Sequence, residues 1–222
     1  MVAAALAIAA LLVLPALYLR DSAREKRRRG DWFAKALPLF SSYRVTQEGA
    51  GWPVLTGRYR GMDVRLEPVQ DDLAWRKLPS LWLKATVLVT NPRRGTLGLL
   101  VRARGGEFYS PTAEMRERLP VPEGFPADAI LRSDCAGTAP LQAVQEQIEA
   151  FDDPRLKELV ITPRGIRLVY QAAQGERAAY LVLRQARFAE EQVDRALVLA
   201  LLDRALAIAV AVDRGAARAV AA

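Results

Sequence analysis

The feature that most constrains this chain is an uncharged run of 18 residues, Val2 to Leu19, followed at once by charge. As a helix the run reaches about 27 Å at about 1.5 Å per residue, against a hydrocarbon core of roughly 30 Å. Pro15 lies inside it, which membrane helices tolerate, and Tyr18 falls where an interfacial aromatic belongs. Arg20, Arg24, Lys26, Arg27, Arg28 and Arg29 then face only Asp21 and Glu25, a net +4 between residues 20 and 29. A cleaved secretory signal needs its basic residues before the apolar run, and Met1-Val2 supplies none. Basic residues after a span stay on the cytoplasmic side. The pattern therefore predicts a single-pass transmembrane signal anchor over 1–19 and a basic juxtamembrane segment over 20–29. Residues 30–222 are then a cytosolic domain at a bacterial inner membrane, with the N-terminus outside. A cleaved signal peptide and a buried helix are the competing readings.

What the chain lacks removes much chemistry. It has no histidine and one cysteine, Cys135, so a Ser-His-Asp or Cys-His centre, an imidazole metal site, an intrachain disulfide and a CxxC motif are all excluded. No GxxxxGK[ST] or GxGxxG run cradles a phosphate. Asp71-Asp72 and Asp152-Asp153 sit in no recognisable cation-binding loop, and Cys135 has no basic neighbour to lower its thiol pKa. No catalytic residue, cofactor or metal is expected, and the chain reads as a non-enzyme.

The net charge of +7 is unevenly spread: residues 58–104 carry +6 and residues 105–222 carry −3. A basic first half differs from the chain-wide stripe of a nucleic-acid binder, so no nucleic acid is expected. Arginine outnumbers lysine 27 to five and Asn91 is the only asparagine, a bias of the kind that codon usage produces, so the preference for arginine has no functional weight by itself.

Beyond residue 30 the fold class reads as α+β, antiparallel strands with helices. Phe33, Ala36, Leu37 and Phe40 share a helical face behind Asp31 as a cap, with Pro38 ending or kinking the helix. Alternation over 55–67 predicts a hairpin turning near Arg60-Gly61. Further strands are predicted at 81–90 and 97–104, joined through Asn91-Pro92-Arg93-Arg94-Gly95. Glycines and prolines over 105–127 mark a candidate subdomain break. A strand at 129–133, a helix opening at Thr138-Ala139-Pro140 and carrying Leu141, Val144, Ile148 and Phe151, strands at 156–162, 166–172 and 179–188, and a last helix over 189–212 complete the second half. Each half reads helix, hairpin, further strand, and the likeness of VLTGRYRGMDVRL to LVITPRGIRLVYQ hints at two similar halves while falling short of an internal repeat.

Candidate contacts follow from these elements. Trp75-Arg76-Lys77 with Trp82 mixes aromatic and basic groups, the composition of an interface or a lipid headgroup layer. Trp32, just after the basic run, is a candidate for the same layer. Arg93 and Arg94 at a turn tip, with Arg58, Arg60, Arg76, Lys77 and Lys84, form a candidate basic face. The last helix is apolar nearly all round apart from Asp203-Arg204, so Leu201 and its neighbours must be covered by the domain, by a partner or by the membrane, where two adjacent charges would be costly. The chain therefore reads as a non-catalytic, membrane-anchored accessory or assembly protein docking on a membrane protein complex, its partners being that complex and the lipid bilayer. The alternative is a peripheral binder of anionic lipid or a small ligand through the basic first half.

Overall fold

The computed structural model describes residues 2–71, 78–89, 95–103, 105–183 and 186–221. A long helix α1 (Val2–Gly30) precedes strands β1 (Ser42–Thr46), β2 (Val54–Tyr59), β3 (Met62–Asp71), β4 (Ser80–Leu88), β5 (Leu97–Leu100), β6 (Glu117–Leu119) and β7 (Ile130–Ser133). Then come α2 (Leu141–Gln145), β8 (Leu156–Thr162), β9 (Gly165–Gln174), α3 (Arg177–Leu183) and α4 (Arg195–Ala221). Among the described residues the strands form one nine-stranded antiparallel sheet in the order β1-β2-β3-β4-β9-β8-β5-β7-β6.

Local chemistry explains the hairpins. Arg60 and Gly61 both have positive φ, 48° and 83°, the backbone that a tight two-residue β-turn requires, and they join β2 to β3 as the alternation predicts. Pro163-Arg164 turns β8 into β9 with Thr162 opposite Gly165. The two similar halves are not separate units: the β8–β9 hairpin inserts between β4 and β5, so both halves of the chain share one sheet and one core. Residues 31–40 form turns and a short 3-10 helix at Leu37–Leu39, although Phe33, Ala36 and Phe40 are buried as their spacing requires. The expected strand over 179–188 is also corrected: Arg177–Leu183 is helical, and only Phe188 bridges back to Gly175.

One face of the sheet carries the core. Alternate residues Leu55, Val64, Leu66, Leu81, Leu83, Ala85, Val87, Ile166 and Leu168 are almost wholly buried. Helix α4 lies against β4 and β9. Its Val198, Leu202, Ala205, Ile208, Ala209 and Val212 recur at helical spacing and are buried, while Ala200, Ala207 and Val210 face outward. The last helix therefore packs on its own domain. Its lack of a polar stripe reflects small alanines on the outer face. Asp203 ties the helix to the β2–β3 turn, its carboxylate accepting a hydrogen bond from the Tyr59 hydroxyl at 2.6 Å and pairing with Arg60 at 3.2 Å.

The transmembrane anchor is the main correction. Among the described residues no helix is long and apolar enough to cross a membrane. Helix α1 runs without a break from the uncharged stretch into the basic one, and its described apolar side chains between Leu11 and Leu19 are exposed. The basic end is docked on the domain. Arg29 Nη1 donates to the Ala50 carbonyl at 3.0 Å and its guanidinium lies 5.0 Å from the Trp52 ring centre, while Gln47 Nε2 donates to the Lys26 carbonyl at 2.9 Å. The uncharged run sits at the lower limit of a spanning length, and directly beyond it the same helix turns charged and then binds protein. The single-pass, signal-anchor and inner-membrane readings, with the cytosolic placement that followed from them, fall together.

Candidate functional site

The second face of the sheet is built by the same alternation that builds the core. Side chains flanking buried Val64, Leu66, Leu83, Ala85, Ile166 and Leu168 point the other way, and the strand register lines them up. Arg44 of β1 stands opposite Thr56 of β2, Thr56 opposite Arg65 of β3, Arg65 opposite Thr86 of β4, and Thr86 opposite Arg167 of β9. Three arginines thus alternate with two threonines along one line perpendicular to five strands. At about 4.8 Å per strand, successive arginines stand roughly 10 Å apart.

The rows on either side add Arg58 and Lys84, and two acids. Arg58 pairs with Asp63 at 3.8 Å and Arg65 with Glu67 at 3.2 Å, both ion pairs well exposed to solvent. Glu67 stands opposite Lys84, whose ammonium is partly buried, and burial pulls its pKa below the ordinary lysine value. The open face therefore presents Arg44, Arg58 and Arg65 exposed, with Lys84 and Arg167 half-buried toward its closed end, against Asp63 and Glu67. Its arrangement can bind an anionic partner through planar guanidinium groups. It offers no nucleophile-base pair.

Beyond β9 this face is closed. The segment from Glu107 to Met115 crosses β8 and β5, and Gly98 permits the crossing, because a Cβ there would meet the Thr112 side chain and the Met115 methyl. Arg132, farther along the arginine row, donates to the carbonyls of Ala113 and Met115 at 3.2 and 3.0 Å and so fastens the segment. Beneath it lies Glu158, with no exposed surface. Its Oε1 accepts hydrogen bonds from the Ser110 hydroxyl and, at 2.6 Å, from the Thr112 hydroxyl. Its Oε2 is buried without a hydrogen-bond partner. Burial raises the carboxyl's pKa, against the two hydroxyl bonds and the nearby charges of Arg167 and Lys84. The Trp82 and Tyr109 rings lie 5.2 Å apart at the rim of the closed region.

The residues singled out from sequence scatter. Arg20, Arg24, Lys26 and Arg27 are exposed on α1. Arg28 and Arg29 turn inward onto Glu25, at 2.8 and 2.7 Å. Trp32 is buried, edge-on to Trp52 with ring centres 5.0 Å apart. Trp82 is half-buried on the open face, Leu201 is buried on α4, and Arg60 turns to Asp203. Trp75, Arg76, Lys77, Arg93 and Arg94 lie outside the described residues. Of the expected basic face the structure brings Arg58 and Lys84 together, and it adds Arg44, Arg65 and Arg167, which the sequence pattern alone does not single out. Alternation within each strand assigns their face; nothing in the sequence assigns the register that makes them a row.

No family model matches this chain, and no curated protein matches it. A similar solved structure is the crystal structure of the mycobacterial trehalose monomycolate transport factor A, TtfA. The identity is 11%, the match covers 66% of this chain and 82% of that one, and the TM-score is 0.35, too loose a likeness to carry a functional argument.

Proposed function

We propose that this chain is a non-catalytic accessory protein that docks an acidic protein partner on the open, arginine-ribbed face of its sheet. The observation that carries this reading is the cross-strand row Arg44–Thr56–Arg65–Thr86–Arg167. A solvated sheet face needs polar residues, but it does not need one sign of charge repeated at a fixed interval. The interlaced Asp63 and Glu67 favour a protein over a lipid surface. A partner can place its own cations against these acids, whereas an anionic bilayer meets them with repulsion.

The test is the binding of labelled polyglutamate to the full chain by fluorescence anisotropy. Binding is expected to weaken steeply as salt shortens the screening length to about 10 Å at 0.1 M. It should be lost in the Arg44→Glu/Arg65→Glu double variant, whose side chains are exposed, with the melting temperature unchanged. Arg20→Glu/Arg24→Glu on α1 should leave it intact. Equal binding by the first variant refutes the assignment of the face. Binding to anionic vesicles with none to polyglutamate puts the lipid-binding alternative in its place.

A further inference from the structure

We infer that the partner engages by strand addition: an extended segment alternating acidic and apolar residues pairs with the free edge of β1 and continues the sheet. This rests on the acidic-partner reading and names the form the partner takes. β1 is the terminal strand of the sheet, and all five of its residues are exposed, so nothing described covers its outer edge. An uncovered edge presents a row of unpaired backbone N–H and C=O groups, the template that strand-adding partners use.

The side chains of β1 specify what is added. Arg44 lies in register with Thr56 and Arg65 and starts the arginine row. Tyr43 and Val45 point to the opposite face, where Val45 stands opposite buried Leu55. They are nevertheless 52% and 37% exposed, a margin of the apolar face that the domain's own helices leave uncovered. In an antiparallel or parallel pair, directly opposed residues share a face. A strand laid on β1 therefore faces Ser42, Arg44 and Thr46 with one set of alternate side chains, Arg44 at the centre, and the apolar Tyr43 and Val45 with the other set. An acidic residue opposite Arg44, able also to reach along the row to Arg65, with polar neighbours facing Ser42 and Thr46, suits the first set, and aliphatic or aromatic residues the second.

A second copy of this chain fits poorly. Antiparallel self-pairing of Ser42–Thr46 about its centre sets Arg44 against Arg44, and like charges directly opposed in a sheet are destabilising. The charge that blocks self-association selects an acidic partner.

The experiment uses the full chain and a synthetic peptide alternating valine and glutamate, matched in length to β1. Hydrogen exchange read by mass spectrometry should show slower exchange over residues 42–46 when the peptide is added, and no protection at β6, the other edge. A peptide N-methylated at alternate amides should bind about tenfold more weakly or worse, having lost the backbone donors that strand pairing needs. Arg44→Glu should reverse the preference, binding the valine–lysine analogue in place of the valine–glutamate peptide. Unchanged binding by the N-methylated peptide, protection confined to other strands, or no binding of the alternating peptide overturns the inference. Concentration-dependent dimers with a protected β1 also overturn it, in favour of self-pairing. Polyglutamate binding that depends on Arg65 while the N-methylated peptide binds as well as its parent refutes strand addition and leaves the docking face standing.

Discussion

Asp203 is the residue whose replacement tests the docking of α4 most sharply. Its carboxylate takes the hydroxyl of Tyr59 at 2.6 Å, a charge-assisted hydrogen bond between a buried tyrosine and a partly exposed acid. Such bonds contribute roughly 1.5–3 kcal/mol, and the solvent that reaches the Asp203 carboxylate places this one toward the lower end. The Arg60 ion pair at 3.2 Å is another matter, because the two side chains are 62% and 37% exposed, and exposed pairs contribute about 0–1 kcal/mol. Alanine is the better helix former at this mid-helix position by about 0.5 kcal/mol, which offsets part of the loss. Asp203→Ala should therefore cost about 2 kcal/mol, a fall in melting temperature of about 4–8 °C for a chain of this size. Calorimetry or urea titration of Asp203→Ala, Tyr59→Phe and the double variant supplies the coupling, which should exceed about 1 kcal/mol. Burial, together with the Asp203 charge and hydrogen bond, pushes the Tyr59 hydroxyl up to about 12. Its folded pKa lies above the unfolded one, so the stabilisation is complete below about pH 10 and is lost as pH climbs toward 12. In Asp203→Ala the tyrosine should titrate at lower pH by absorbance. Additive single effects, with no change in that titration, would mean that α4 does not sit on the β2–β3 turn in solution.

Three further outcomes are expected. Glu158 has its pKa raised by burial, so its folded-state contribution is full at acid pH and is lost as pH rises through the raised value; Glu158→Gln cannot ionise, so in denaturant titrations the variant should gain on the parent protein as pH rises, and a pH-independent difference would mean that the carboxyl is hydrated. Leu202→Ala removes a side chain with no exposed surface from the α4–sheet contact and should cost about 3–5 kcal/mol by the same titration, a loss under about 1 kcal/mol meaning that the helix is not part of the core. Gly57→Ala places a Cβ 2.7 Å from the Ser42 carbonyl oxygen, which overpacks the β1–β2 pair by about 1–3 kcal/mol; exchange over residues 42–46 should speed up while β3, β4 and β9 stay protected.

Where local chemistry decides, the fold is legible in the sequence. The Arg60-Gly61 and Pro163-Arg164-Gly165 turns, the strands beside them and the burial of Leu201 follow from residue type and alternation. Legibility ends where a distant contact decides. Ala178 to Leu183 is an apolar run that either a strand or a helix can use, and the structure makes it α3, within the stretch that the Gly175–Phe188 bridge closes. The basic run after Leu19 has the composition of a membrane flank. Only the tertiary structure reveals that Arg29 is engaged by Trp52 and Ala50, and Arg28 by Glu25. β1 is hidden because Ser41-Ser42-Tyr43 reads as the tail of the preceding helical pattern, whereas the chain is already extended from Ser42.

The docking face shows why a site of this kind resists sequence reading even when every strand is assigned. Alternation says that Arg65 and Glu67 oppose Val64 and Leu66, and that Arg167 opposes Ile166 and Leu168; it therefore says which side of its own strand each arginine takes. It cannot say that Arg65 and Arg167 share a row, because they are 102 positions apart in the chain and meet only through the pairing of β4 with β9 across Thr86. A shift of that pairing by one residue would send Arg167 to the core face, where a guanidinium opposite Ala85 or Val87 would be buried without a partner at severe cost. The apolar pattern of β9 thus fixes the register for the sake of the core. The alignment of the arginines comes with it, and the charge of the open face is determined by the packing of the closed one.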